Sequence, residues 1–94
     1  MNQMSQTFVL NHKKESHPFD PLLLHQSIVD ACMAVRSYEG EAHDTAKRVC
    51  EKVIEWLAPK DEVTSQDIRR VAAKHLSVYH PEAAYMYQNL EMMV

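Results

Sequence analysis

A single glycine, Gly40, serves a chain of 94 residues, and this limits the folds within reach. Tight hairpins and sheet corners depend on backbone positions with positive φ, which glycine adopts without steric cost. One glycine and four prolines do not provide the many such turns of an all-β domain. The composition suits helices joined by few turns. Apolar residues make up 46% of the chain, enough to line one core. A domain of this size buries only about 60–65% of the surface its unfolded chain exposes, so that core has to be well organised.

Four segments repeat apolar residues at helical spacing. The first starts at Asp20, a good N-cap, with Pro21 in the first helical position, where its missing N–H costs nothing. Leu24, Ile28, Ala31, Cys32 and Val35 follow, and Gly40 is the expected turn. The second is expected from Glu41 to Ala58, with Ala42, Ala46, Val49, Cys50, Val53, Trp56 and Leu57 on its apolar face and Pro59 ending it. The third opens on Thr64 and Asp67, which approximate a capping box, with Ser65 as the competing cap. It carries Ile68, Val71, Ala72, His75 and Leu76. His80–Pro81 marks a turn, and Ala83, Ala84, Met86, Tyr87, Leu90 and Met93 form the last face.

Short extended pieces remain. "TFVLNH" and "ESHPF" can pair as a hairpin through Lys13, Lys14 and Glu15, and Glu62–Thr64 can add a third strand. Strands this short persist only when packed on something larger. The expected fold is therefore mostly α: a four-helix domain capped by a small two- or three-stranded β-sheet. It spans residues 7–94 behind a frayed tail at 1–6. The expected core holds Leu24, Ile28, Val53, Trp56, Leu57, Ile68, Val71, Leu76 and Tyr87.

The charge pattern narrows the function. A net charge of −3 leaves no basic excess to neutralise a phosphate backbone, which argues against binding nucleic acid. "MNQMSQTF" lacks the charged and apolar regions of a signal peptide, and no apolar run approaches the roughly 20 residues that span a bilayer. A cytoplasmic protein without membrane contact is expected. Cys32 and Cys50 lie in helical patterns and read as buried thiols. Of the six histidines, His12, His17, His25, His43, His75 and His80, no pair has H-x-x-x-H spacing and no C-x-x-C pair accompanies them, so no metal is expected. No Gly-flanked nucleophile and no Gly-rich phosphate loop is present, so catalysis is not expected. Tyr85, Met86, Tyr87, Met92 and Met93 exceed what one narrow helical face can bury, and Tyr and Met are favoured at contact surfaces, so Tyr85, Met86, Met92 and Met93 stand out. They are the candidate interface.

The order hairpin, helix, helix, strand, helix, helix comes with specific motifs. "HPFD" at 17–20 is similar to an E-P-F-D step into a first helix. "LHQSIVDA" from Leu24 is similar to L-x-x-S-I-x-x-A. "EVTSQDIRRVAAKHL" at 62–76 is similar to E-V-T-S-x-x-I-x-x-x-V-x-x-x-L, and "PEAAYMYQNL" at 81–90 to a closing A-x-x-Y-x-x-Y helix, with Ala84 and Tyr87 in place. Together these motifs resemble the ATP-cone, a regulatory domain of ribonucleotide reductase large subunits and of the zinc-containing repressor of reductase genes. The resemblance runs from Val9 to Leu90. It implies a non-catalytic regulatory module that binds ATP or dATP, forms homo-oligomers, and works with ribonucleotide reductase or a related protein partner.

The departures from that pattern fall where the nucleotide would sit. The family hairpin reads roughly V-x-K-R-D-G-x-x-E-x-F. Val9 and Phe19 keep the frame. Asn11 stands at the lysine, His12 at the arginine, Lys13 and Lys14 at the D-G turn, and His17 at the glutamate associated with the base. Leu23 replaces a further lysine, Glu91 stands where arginine is frequent, and Ser65 survives at the Ser/Thr cap. A charge-assisted hydrogen bond contributes about 1.5–3 kcal/mol, so losing the lysines at Asn11 and Leu23 removes about 3–6 kcal/mol, or roughly two to four decades of affinity. The expectation is a module with nucleotide binding weakened or lost. The alternative is an ATP/dATP sensor that uses Lys13 and Lys14 for the phosphates. A two-residue slip preserves the facing of side chains in a strand, so Lys13 could point the way Asn11 does and Lys14 the way His12 does, with a rearranged turn bringing both to a triphosphate.

Overall fold

The computed structural model describes residues 6–89. Among them the chain runs β1 (Phe8–Leu10), β2 (Ser16–Pro18), α1 (Pro21–Ala34), α2 (Glu39–Leu57), β3 (Glu62–Thr64), α3 (Ser65–Tyr79) and α4 (Pro81–Asn89). The domain is mostly helical and capped by a three-stranded sheet of order β2-β1-β3. No helix among the described residues is long and apolar enough to cross a membrane. Most of the expected tail, and the Leu90, Glu91, Met92 and Met93 positions, lie outside the described residues.

β1 is the central strand. It pairs antiparallel with β2, placing Val9 opposite His17, and parallel with β3, placing Val9 beside Val63. A parallel pair needs a long crossover, and here α1 and α2 provide it. Val9 is fully buried and Val63 nearly so, while their strand neighbours face outwards. This is the period-two pattern of a sheet with one face on the core. The Thr7 hydroxyl donates to the Lys60 carbonyl at 2.8 Å, tying the entry to β1 to the end of α2.

The helix starts follow the local chemistry. The Asp20 carboxylate accepts from the Leu22 N–H at 3.0 Å, with Pro21 next in line. At α3, Thr64 is the cap: its hydroxyl accepts from the Asp67 N–H at 3.0 Å. Ser65, the competing cap, is instead the first helical residue. The Asp67 carboxyl lies below its usual range because Arg70 and Thr64 donate to it, so Thr64 and Asp67 form a reciprocal capping box.

The turn after α1 differs from expectation. Gly40 does not make it. The Ser37 N–H reaches the Cys32 carbonyl at 3.1 Å and the Arg36 N–H the Met33 carbonyl at 3.0 Å. Arg36 takes the left-handed position with φ 66°. This is the paired hydrogen-bond pattern of a Schellman cap, made with arginine. α2 starts at Glu39 rather than Glu41, and Gly40 lies inside its first turn, with nothing within 4 Å of where a Cβ would be. Val35 ends α1 as its half-buried C-cap instead of continuing the helix.

The core joins all four helices and the inner face of the sheet. Leu24, Ile28, Val53, Leu57, Ile68, Val71, Leu76 and Tyr87 are buried as expected. Trp56 is the exception. It is only partly buried, packing against the core's edge with the Lys60 ammonium 5.0 Å from its ring centroid. The face of α2 is narrower than the periodicity suggests, and Val53 and Leu57 take the inner positions. Tyr87 is fully buried and its hydroxyl lies 2.9 Å from Ser27 Oγ. Ser27 donates its own proton to the Leu24 carbonyl at 2.7 Å, so the Tyr87 O–H is the donor between them.

Candidate functional site

The hairpin is where the sequence concentrates candidate residues, and its turn is built from one of them. Asn11 follows the last residue of β1. Its side-chain oxygen accepts from the Lys13 N–H at 2.9 Å and the Glu15 N–H at 3.0 Å, and its amide donates to the Glu15 carboxylate at 3.2 Å. The backbone closes the same loop, with Asn11 N–H on the Glu15 carbonyl at 3.0 Å and Lys14 N–H on the Asn11 carbonyl at 2.9 Å. Asparagine suits this position because its short amide mimics a backbone turn. Lys14 sits at φ 64°, the left-handed conformation that a glycine would take without strain.

The remaining candidates separate into four places. Val9 is buried beneath the sheet, with His17 beside it in register and half-buried; the His17 Nδ1 donates to the Pro18 carbonyl at 3.1 Å. His12, Lys13 and Lys14 are exposed along the turn. Because Leu10 pairs with Thr64 in the parallel ladder, Asn11 and Ser65 leave the sheet at the same end. Leu23 lies in the first turn of α1 and is 38% exposed. Strand β1 ends at Leu10, so Lys13 and Lys14 belong to the turn and not to an extended strand. The facing argument for a two-residue slip therefore does not reach them.

Of the surface concavities among the described residues, two are well formed enough to place, and the hairpin lines neither. One, of about 380 Å³, lies between α3 and α4 among Gln66, Asp67, Arg69, Arg70 and Gln88. It is polar, and Arg70 is engaged with Asp67 at 3.2 Å. The other, of about 330 Å³, lies between α1 and α2 and includes Leu22, His25, Lys47, Cys50 and Ile54. Cys50 is held as a thiol there: burial, and then the charge of Glu51, raises it to about 11. Cys32 is raised for the same leading reason, burial. Neither is a thiolate nucleophile near neutrality.

Beside the second concavity lies a contact that the spacing does not reveal. His25 Nε2 is 3.0 Å from His43 Nδ1, although the two residues are 18 positions apart along the chain. Burial, and then His43, lowers the His25 pKa, which favours its neutral imidazole. Reading the two helical faces together, rather than each histidine against its sequence neighbours, is the signal that could have found the pair. Among the described residues no group of three or more His, Cys, Asp and Glu side chains gathers in metal-binding range.

Of the candidate interface residues, Tyr85 is 68% exposed and Met86 half-buried. Val78 and Tyr79 at the end of α3 are also exposed, adding apolar surface on the helix that packs against α4. Comparison with known proteins adds no assignment: no family model, curated protein or solved structure matches the chain.

Proposed function

We propose that the chain is a non-catalytic regulatory or interaction module resembling the ATP-cone, with nucleotide binding weakened or lost, that acts by self-association or by docking to a partner such as ribonucleotide reductase. The observation that carries this reading is the use made of Asn11. Its side chain is spent on the Lys13 and Glu15 amides and the Glu15 carboxylate, at a position where the family resemblance puts a phosphate-binding lysine. Leu23 offers a partly exposed apolar group where a second cation would stand. Tyr85 on α4 and the exposed Val78 and Tyr79 on α3 are the apolar surface offered for association; single exposed apolar residues are ordinary, and their occurrence on two helices that pack together is what supports the reading.

One observation favours the alternative, an ATP or dATP sensor. Lys13 and Lys14 are exposed, and neither has an ion-pair partner among the described residues. Two ammonium groups at a hairpin tip can approach a triphosphate without any slip in register, as point charges.

Calorimetric titration with ATP and dATP in the presence of Mg²⁺ separates the two readings. The parent chain is expected to show weak or no binding, and Asn11→Lys combined with Leu23→Lys to tighten it by roughly two to four decades. Circular dichroism checks that the doubly substituted hairpin still folds. Micromolar binding by the parent, abolished by Lys13→Ala, would establish the sensor instead. Sedimentation across a concentration series tests self-association, and a monomer throughout leaves docking in trans.

A further inference from the structure

We propose that His25 and His43 form a two-histidine binding site for a divalent late first-row metal ion, with zinc as the reference ion, bridging α1 and α2. The two nitrogens that face each other are 3.0 Å apart and the ring centroids 5.2 Å apart, with 29° between the ring planes. Zn–N bonds of about 2.0–2.1 Å hold two nitrogens about 3.3 Å apart at a tetrahedral angle and about 2.9 Å apart at a right angle. The observed separation falls between these values, so a small tilt of each ring about χ2 turns both nitrogens onto one ion. No helix has to move.

The chemistry of the donors selects the ion. Neutral imidazole suits zinc, copper and nickel, whereas magnesium and calcium require oxygen ligands. The hydrogen bond between the rings requires one of the two facing nitrogens to carry a proton. On binding, that proton passes through solvent to the far nitrogen of its own ring, and both facing nitrogens present lone pairs. The neutral pair thus takes up the ion with no net proton release. Water fills the remaining positions, because among the described residues no third His, Cys, Asp or Glu side chain joins the pair.

The setting supplies both preorganisation and opposition. His25 is half-buried and His43 exposed, so the ion can enter from solvent while the rings are held on two packed helices. Glu39, one helical turn before His43, and Lys47, one turn after it, share its side of α2. Glu39 favours a cation there. Lys47, which lines the same concavity as His25, opposes one, and this limits the affinity. Ligands on different helices also couple binding to folding, since the unfolded chain does not hold them together.

Titration of the full chain with Zn²⁺ at neutral pH, by calorimetry and by nitrogen-edited NMR of the histidine rings, tests the site. The expected result is a saturable one-to-one phase, with the largest ring shifts at His25 Nε2 and His43 Nδ1. His25→Gln and His43→Gln are each expected to abolish that phase while His75→Gln retains it, and a thermal midpoint raised by Zn²⁺ in the parent should no longer respond in the two variants. Both substitutions are at positions open to solvent, and circular dichroism reports whether the helices persist. The NMR assignment in the parent does not depend on the variants folding. Absence of a saturable phase, its survival in both variants, or shifts centred on other histidines would overturn the proposal.

Discussion

Tyr87 and Asn11 are both polar residues whose hydrogen bonds hold the chain in place, but they work in opposite settings. The Tyr87 hydroxyl donates to Ser27, 60 residues away in sequence, at the fully buried junction of α1 and α4. Asn11 holds backbone groups two and four residues ahead, at the partly exposed tip of the hairpin. Breaking the first leaves a buried polar group unpaired and a void around it. Breaking the second releases groups that water can reach at once. The turn closes on itself near the surface, whereas Ser27 and Tyr87 tie two helices together inside the core.

The strongest way to break this contrast is Tyr87→Ala. With the ring fully buried, the loss is expected to be about 3–5 kcal/mol in denaturant unfolding. A loss under about 1 kcal/mol would mean that the junction is not where the core's stability resides.

Alkaline titration sharpens the same point with a slightly smaller effect. Burial is the leading cause that raises the Tyr87 hydroxyl from the ordinary 10 to about 12. An acid whose folded pKa is raised contributes stability that is complete below its unfolded pKa and is lost as pH rises through the folded one. The Tyr87 contribution therefore disappears between about pH 10 and 12, and two units correspond to about 3 kcal/mol. Cys50, raised from 9 to about 11, adds a loss that starts a unit lower. Tyr87→Phe should flatten the decline between pH 10 and 12 and leave the earlier part, followed by urea unfolding at each pH. An unchanged profile would remove Tyr87 as the cause.

The smallest effect is expected at the hairpin. Asn11→Ala should cost about 1 kcal/mol, since the groups it releases become hydrated. Amide exchange should speed up at Lys13 and Glu15 while the helical amides stay protected. A cost above about 3 kcal/mol, or exchange spreading into α1 and α4, would show that the turn and the core are one cooperative unit.

Local chemistry made much of this fold legible. Asp20 before Pro21, Thr64 with Asp67, and the alternation around Val9 and Val63 are short-range signals, because a cap or a strand face depends on residues within a few positions. The misplaced turn after α1 shows the limit of such signals. Gly40 draws attention because it accepts positive φ, yet Arg36 occupies that conformation, and the strain is met by the paired capping hydrogen bonds and by the packing of α1 on α2. In the candidate site, the positions of the hairpin residues were legible, but the job given to the Asn11 side chain was not. An amide in a hairpin can face a ligand or turn back on its own backbone, and the sequence reads the same in either case.

What the sequence determined by itself was the helical class, the order of elements, the starts of α1 and α3 and most of the buried residues. Each of these follows from periodicity and from hydrogen bonds between near neighbours. The tertiary structure alone decided that Trp56 sits at the core's edge over Lys60's charge, that Tyr87 meets Ser27, and that His25 meets His43. These outcomes depend on the rotation and separation of packed helices. A small rotation of α2 about its axis would exchange Trp56 for a neighbour or part the two imidazoles, without changing the apolar period of any helix.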